Sequence, residues 1–433
     1  MGGGLLQIVA YGAQDLYLTG NPQVTFFKSI YRRYTNFAIE SIQQTFNGTV
    51  DFGRKVSTQI SRNGDLIWKV YLEVTLPTLT GTGTQAWTRR IGEVMIDYVE
   101  IQIGGQTIDK HYGQFLTLWQ ELTQPAELAD TYNVMIGNTS ALTTEASSVT
   151  GAELYIPLQF WFCKSPGLAL PLIALQYHEV VINVQFLAFS KLFVSSSGTV
   201  TTPTLTDASL WVDYIYLDTD ERRQFAQIPH EYLIDQLQFT GSTSSASTSV
   251  RAQLNFNHPT KELIWVTQLA ANTDSGANRW TDFTDNGTGS NPYAGNDFLV
   301  DAKLQLNGQD RFATRLSSYF NLVQPYQHHT RGPSTGIYVY SFALKPEEQQ
   351  PNGTCNFSRI DNATLQLTLA SSASMNLFVY ACNFNILRVM SGINLIIKYL
   401  LLICAKQLAA NKFHEILDWR NSVIHEQSLV ECI

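Results

Sequence analysis

Between residues 99 and 109 the chain reads "VEIQIGGQTID", in which Val99, Ile101 and Ile103 alternate with Glu100 and Gln102. A period of two puts the apolar side chains on one face and the polar ones on the other, as a half-buried strand requires. Gly104-Gly105 then supplies a pair suited to positive φ, the backbone of a tight hairpin turn. About two hundred positions later the pattern returns. Val300, Ala302, Leu304 and Leu306 alternate with Asp301, Lys303, Gln305 and Asn307, and Asn307-Gly308 is again a hairpin pair. Weaker echoes fall in the same order: "IQQTFNG" with "DQLQFTG", and "DLIW" with "ELIW". Phe46 precedes Phe239 by 193 residues, Trp68 precedes Trp265 by 197 and Gly105 precedes Gly308 by 203. This slow drift is what loop insertions in a duplicated unit produce.

Each half contains eight short apolar or alternating runs bounded by Gly, Pro, Asn and Ser clusters. In the first half they centre on 39–46, 55–60, 65–76, 94–103, 106–110, 153–162, 178–187 and 209–217. In the second they centre on 232–239, 249–256, 261–268, 298–306, 309–314, 336–344, 363–369 and 376–387. Eight strands per half predict an all-β chain of two tandem eight-stranded β-sandwich domains, a double jelly roll with short helices. The stretches 77–92, 111–152, 188–208, 241–249, 269–297 and 345–362 read as long loops. Between the halves, "LDTDERRQFAQIPHEY" is charged and closed by Pro229, which predicts a helix of one or two turns. Near the start, Asn21 is placed to cap a helix with Pro22 at its first position. Val24, Phe27, Tyr31 and Tyr34 would then share one face, with Lys28, Arg32 and Arg33 around the rest. Such a helix either docks under the first domain or is an arm that meets a neighbouring subunit or an acidic surface such as a membrane leaflet.

Composition narrows the classes. The 433 residues suffice for two domains, and 20 Tyr and 23 Phe with only 15% charged residues favour packed sheets. A net charge of −8 argues against a surface that wraps nucleic acid, so no direct nucleic-acid partner is expected. Five scattered cysteines form no C-x-x-C pair, which suggests neither a disulfide framework nor a zinc site, and fits a reducing compartment. The N-terminus lacks a basic region followed by an apolar one, and position 6 lacks the Ser or Thr of the myristoylation pattern.

Catalytic signatures fail on context. "GPSTG" fits a nucleophile elbow at Ser334, with His328 and His329 nearby, but a strand follows where a helix is needed. The His-Glu pairs at His178, His230, His414 and His425 lack a second His four residues after the first. His328 and His329 would point to opposite faces of an extended segment, so no shared metal is expected, and no P-loop exists. The expectation is no catalytic, cofactor or metal site. Six N-x-[ST] sequons occur, at Asn47, Asn138, Asn286, Asn352, Asn356 and Asn362; Asn138 and Asn286 fall in long predicted loops.

Several longer segments carry a resemblance: "IVAYGAQDLYLTGNPQVTFFKSIYRRYTNFAIESI", "PGLALPLIALQYHEV", "WVDYIYLDTDERRQFAQIPHEYLIDQLQFTG", "QLNGQDRFATR" and "GTCNFSRIDNATL". Over residues 5 to about 392 the chain closely resembles the major capsid proteins of nucleocytoplasmic large DNA viruses, nearest to those of algal viruses. The resemblance implies a double jelly roll and a structural virion protein, not an enzyme. It implies a homotrimeric, pseudo-hexagonal capsomer, assembled in the host cytoplasm, that tiles an icosahedral shell over an internal membrane. Partners would be other copies, neighbouring capsomers, minor capsid proteins and that membrane. It also implies glycans on outward loops, with Asn286 and Asn138 as candidates, and an inner-face arm whose Lys28, Arg32 and Arg33 meet minor proteins or the membrane side. The expected organisation is an arm with a short helix (1–38), a first jelly roll (39–216), a linker (217–231), a second jelly roll (232–392) and an atypical extension (393–433). That extension departs from the family's pattern. Its apolar stretch, Ile393 to Cys404, is too short to span a bilayer unaided, and the abrupt change of composition favours a frame-altered read-through over a buried helix or a membrane-side anchor. The competing class is a jelly-roll carbohydrate-binding or host-attachment monomer using exposed aromatics such as Trp87, Trp280 or Tyr293.

Overall fold

The computed structural model describes residues 2–196, 198–274, 277–285 and 295–389. The chain divides at Asn36 into an arm and a body beginning at Phe37. The arm holds two short helices, α1 (Gly3–Val9) and α2 (Leu16–Thr19), and the helix expected from Asn21 does not form. Asn21 takes φ 51°, and residues 21–36 carry no helical turn. A helix that short is marginal without a packing partner, and all its apolar residues, Phe27 and Tyr31 among them, are exposed.

The body is built from sixteen principal strands. In the first half these are β1 (Phe37–Gln44), β2 (Lys55–Gln59), β3 (Leu66–Thr75), β4 (Ile96–Ile103), β5 (Gln106–Tyr112), β6 (Glu153–Pro157), β7 (Val180–Phe186) and β8 (Asp207–Leu217). In the second they are β9 (His230–Phe239), β10 (Ser249–Gln253), β11 (Pro259–Leu269), β12 (Leu299–Leu306), β13 (Gln309–Asp310), β14 (Ile337–Ser341), β15 (Ala363–Leu369) and β16 (Met375–Val389). All pairs are antiparallel, in the orders β1-β8-β3-β6 and β2-β7-β4-β5, then β9-β16-β11-β14 and β10-β15-β12-β13. Every neighbour relation in the second half is that of the first, eight strands on. This is a double jelly roll.

The two echoing hairpins are the same turn. Gly104 and Gly105 have φ 59° and 80°, and Asn307 and Gly308 have φ 50° and 79°. Two consecutive positive values are the backbone that matches the twist of the flanking strands. The first core packs Leu72, Val74, Val99, Ile101 and Val184, and the second packs Leu263, Trp265, Leu304, Leu365 and Leu377.

Two further expectations are corrected. The stretches 77–92, 111–152 and 188–208 are not plain loops: Leu79–Trp87 pairs with Ala146–Val149 and Phe193–Ser195 in a separate three-stranded sheet. "LTGTGTQAW" reads as loop because its Thr-Gly repeat hides the alternation that ends in buried Ala86 and Trp87. The same region holds helix α3 (Gly113–Thr123). Finally, Trp68 and Trp265 are not structural equivalents. Trp265 is 1% exposed inside the second core, whereas Trp68 lies half-buried, packed against Leu66, Ala169 and Ile215, where a register shift interrupts the β3–β8 ladder. Between the halves, α4 (Thr219–Gln227) begins at Asp218, whose carboxylate accepts from the Thr219 N–H at 2.8 Å.

Candidate functional site

Helix α3 occupies the seam between the halves. Phe115, Leu118, Trp119 and Leu122 recur at helical spacing and form one apolar face. That face packs on the outer side of the β9-β16-β11-β14 sheet, against Ile264, Val266, Ile337, Val339, Tyr380 and Cys382. Leu116 turns the other way, into the first core. Gly113 at the start of α3 is required by closeness, because a Cβ there would lie 2.2 Å from the Ile96 carbonyl oxygen. With α3 on one side and the second core on the other, every residue of β11 from Thr260 to Leu269 is buried. A sheet covered on both faces loses its alternation in just this way.

Buried charge fastens the same seam. Asp235 on β9 meets Lys164 of the first half at 3.1 Å and Lys261 of the second at 2.9 Å. Burial alone would raise the Asp235 pKa, but the two ammonium groups outweigh it and hold the carboxyl below its usual range. The Lys164 ammonium also lies 4.4 Å over the Trp119 ring, and the Lys261 Nζ donates to the Pro346 carbonyl at 2.9 Å. The Asp109 carboxylate accepts from the Leu237 N–H at 3.1 Å, and the Trp280 indole donates to the Lys191 carbonyl at 2.7 Å. These groups have partners drawn from protein, so the seam is a fastening and not a reaction centre.

His329 lies at the end of α5 (Gln324–His328), between the Glu262 and Glu347 carboxylates at 2.9 Å each. Burial opposes its protonation, yet the two carboxylates prevail and push its pKa up to about 9. Its neighbour His328 is engaged by the Leu344 carbonyl at 2.9 Å. Ser334 is exposed, and its carbonyl accepts from the Asn321 amide. Among the described residues no His, Cys, Asp or Glu group is arranged to hold a metal. Burial pushes the Cys163 thiol up to about 12 and holds that of Cys382 well above the ordinary thiol value, which makes both poor nucleophiles.

The first half's counterpart of the covered sheet face is open. On β1-β8-β3-β6, Pro157, Tyr71, Trp211 and Gln43 form a row across four strands. The Tyr71 and Trp211 rings are 6.2 Å apart and within 5° of parallel, and Tyr155 follows at 6.3 Å from Tyr71. The Trp211 indole and Ser209 hydroxyl both donate to the Glu73 carboxylate. Lys69, Tyr71, Tyr155 and Asp213, with Trp119, Tyr132 and Glu347, line a cavity of about 820 Å³.

Lys28, Arg32 and Arg33 lie exposed in the arm. Asn138 sits in the turn after residues 129–135, half-buried, with its side-chain amide donating to Asn133 Oδ1 at 3.0 Å. Asn286, Tyr293 and the extension 393–433 lie outside the described residues. Trp87, expected as an exposed aromatic, is 1% exposed in the first core, where it packs edge-on against Phe189. The α3 stripe was missed, although its i, i+3, i+4, i+7 spacing carries the signal. The Lys164–Asp235–Lys261 group had no signal in spacing, because its members meet only through the fold.

A profile described as major capsid protein N-terminus matches residues 25–218, and one described as large eukaryotic DNA virus major capsid protein matches residues 221–394. The chain is 52% identical over 419 residues to the major capsid protein of Pyramimonas orientalis virus, covering 90% of this chain and 98% of that one. It is 49% identical over 445 residues to the major capsid protein of Paramecium bursaria Chlorella virus 1, with coverage of 90% and 98%. Among solved structures, PBCV-1 VP54 superposes with a TM-score of 0.71 at 43% identity, over 85% of this chain and 98% of that one. The Faustovirus major capsid protein shares the fold, with a TM-score of 0.76 at 12% identity over 88% and 94%.

Proposed function

This chain belongs to the large eukaryotic DNA virus major capsid proteins, and from that premise we propose that three copies close into a pseudo-hexagonal capsomer that tiles an icosahedral shell. The protein is a structural component of the virion and not an enzyme. One observation carries the three-copy reading: the two halves repeat each other strand for strand in both sheet orders. Two similar domains in each of three subunits offer six similar edges to a six-coordinated lattice. The jelly rolls are assigned to 39–216 and 232–392, joined by 217–231, with an arm at 1–38 and an extension at 393–433.

Assembly takes place in the host cytoplasm in this reading, with neighbouring capsomers, minor capsid proteins and an internal membrane as the further partners. The exposed Lys28, Arg32 and Arg33 of the arm are the side chains suited to an acidic inner-face partner. Glycans are assigned to Asn286 and to Asn138, whose side-chain amide donates to Asn133 Oδ1. The test is the absolute mass in solution by light scattering behind a sizing column, for the full chain and for one ending at Gly392. The full 48.6 kDa chain should run as a species of about 146 kDa, three copies. A monomer for both would overturn the reading, and a trimer that needs the extension would make residues 393–433 part of the assembly.

A further inference from the structure

We propose that the segment Tyr319–His328 of one copy seats on the open outer face of the β1-β8-β3-β6 sheet of the next copy, the place that α3 fills for the second half within the chain. This rests on the three-copy reading and says which surfaces make it.

The argument is one of position. α3 lies in the connection from β5 to β6, the fifth and sixth strands of the first half, and it covers the outer face of the second half's β9-β16-β11-β14 sheet. Tyr319–His328 lies in the connection from β13 to β14, the fifth and sixth strands of the second half. The strand orders repeat, so the relation "connection of one half on the sheet of the following half" has one unfilled instance. Its two sides are both present in the chain. The second-half segment anchors inward through Phe320, Asn321, Gln324 and Pro325, which are buried. It leaves Leu322 61% and Tyr326 88% exposed, four residues apart on one helical face, with Val323 beside them. The receiving face offers the Tyr155, Tyr71 and Trp211 rings, in sheet positions matching those that α3 buries in the second half.

Charge agrees with the pairing. Glu73, Glu153 and Asp213 stand on the receiving sheet, and the exposed Arg311 and Arg315 precede the segment. The contact uses different surfaces on its two sides, so it is heterologous, and such contacts form rings when the rotation closes. With one such contact made within each chain and one between chains, six halves close after three copies.

The test uses the full chain. Leu322→Asp with Tyr326→Asp alters only exposed side chains and should convert the three-copy species to single copies while leaving the melting curve of the isolated chain in place. Independently, Tyr155→Cys in one chain and Tyr326→Cys in another, with Cys355, Cys404 and Cys432 replaced by Ser in both, should be joined by a short bismaleimide only when the two chains are mixed. Wild-type protein of three-copy mass whose charged variant stays three-copy and whose mixed cysteine chains give no cross-linked dimer overturns the assigned surfaces and spares the three-copy reading. A wild-type chain of single-copy mass overturns the three-copy reading itself, and this inference with it.

Discussion

The two large sheets have the same strand order and opposite fates on their outer faces. In the second half, Ile264, Val266, Ile337 and Val339 lie under Phe115, Leu118, Trp119 and Leu122, and β11 is buried on both sides. In the first half, the outer residues of β3 alternate with the core, and Tyr71, Tyr155 and Trp211 stand partly open. The residues have followed the fate of each face. The apolar members of the covered face are aliphatic with one tyrosine and one cysteine, and its buried polar residues Glu262 and Gln268 are taken up by His329 and by Gln114 and the Trp280 carbonyl; the open face keeps rings with polar tips. Amphipathic aromatics tolerate water and still offer area to a partner, which is why they gather at surfaces that are exposed at one stage and buried at another.

The largest effect should come from breaking the covered face. Trp119→Ala removes the seam's largest apolar plug and should cost about 3–5 kcal/mol in urea unfolding of the isolated chain. Trp211→Ala, on the open face, should change the same measurement by less than about 1 kcal/mol, since it opens no enclosed core. Equal costs would mean that the two faces do not differ in the way described.

Next comes the charge that ties the halves together. Asp235→Ala leaves Lys164 and Lys261 facing each other without their shared carboxylate, and should cost about 3 kcal/mol. The Asp235 pKa is depressed in the folded chain, so its contribution is present above the ordinary carboxyl value and disappears as pH falls through the lower, folded one. His329 works in the opposite direction. With a folded pKa of about 9, its stabilisation is complete below the ordinary histidine value near 6.5 and is lost as pH rises through about 9. Unfolding midpoints should therefore fall between pH 6 and pH 10 by the equivalent of about 3 kcal/mol, and His329→Gln should flatten that part of the profile.

The smallest effect tests the likeness of the halves directly. Gly105→Ala and Gly308→Ala each place a Cβ at φ near 80°, and each should cost about 1 kcal/mol. Clearly unequal costs would indicate that the two turns are not interchangeable.

Much of this fold was readable because strand periodicity and hairpin chemistry are local. The pattern at Val99–Ile103 and the pairs Gly104-Gly105 and Asn307-Gly308 carry their own geometry, and the principal strands lie where alternation put them. Where the reading failed, longer-range packing decided. The Asn21-Pro22 start signal is sound locally, but no helix follows it at residues 21–36. The Trp68 and Trp265 match is real in sequence, yet the register shift in the β3–β8 ladder sends the two rings to different places. Of the candidate site, α3 was missed, read as part of the long connection 111–152, although Phe115, Leu118, Trp119 and Leu122 carry helical spacing. Asp235, Lys164 and Lys261 could not be found, since residues 71 and 97 positions apart become neighbours only when the halves close.

The most direct measurement is hydroxyl-radical footprinting of the same preparation before and after assembly, read at single side chains by mass spectrometry. Tyr71, Tyr155 and Trp211 should be oxidised in single copies and protected in the assembled species, while Phe115 and Trp119 are protected in both. Continued oxidation of Tyr71, Tyr155 and Trp211 after assembly would contradict the claim that the open face is the covered face's counterpart between copies.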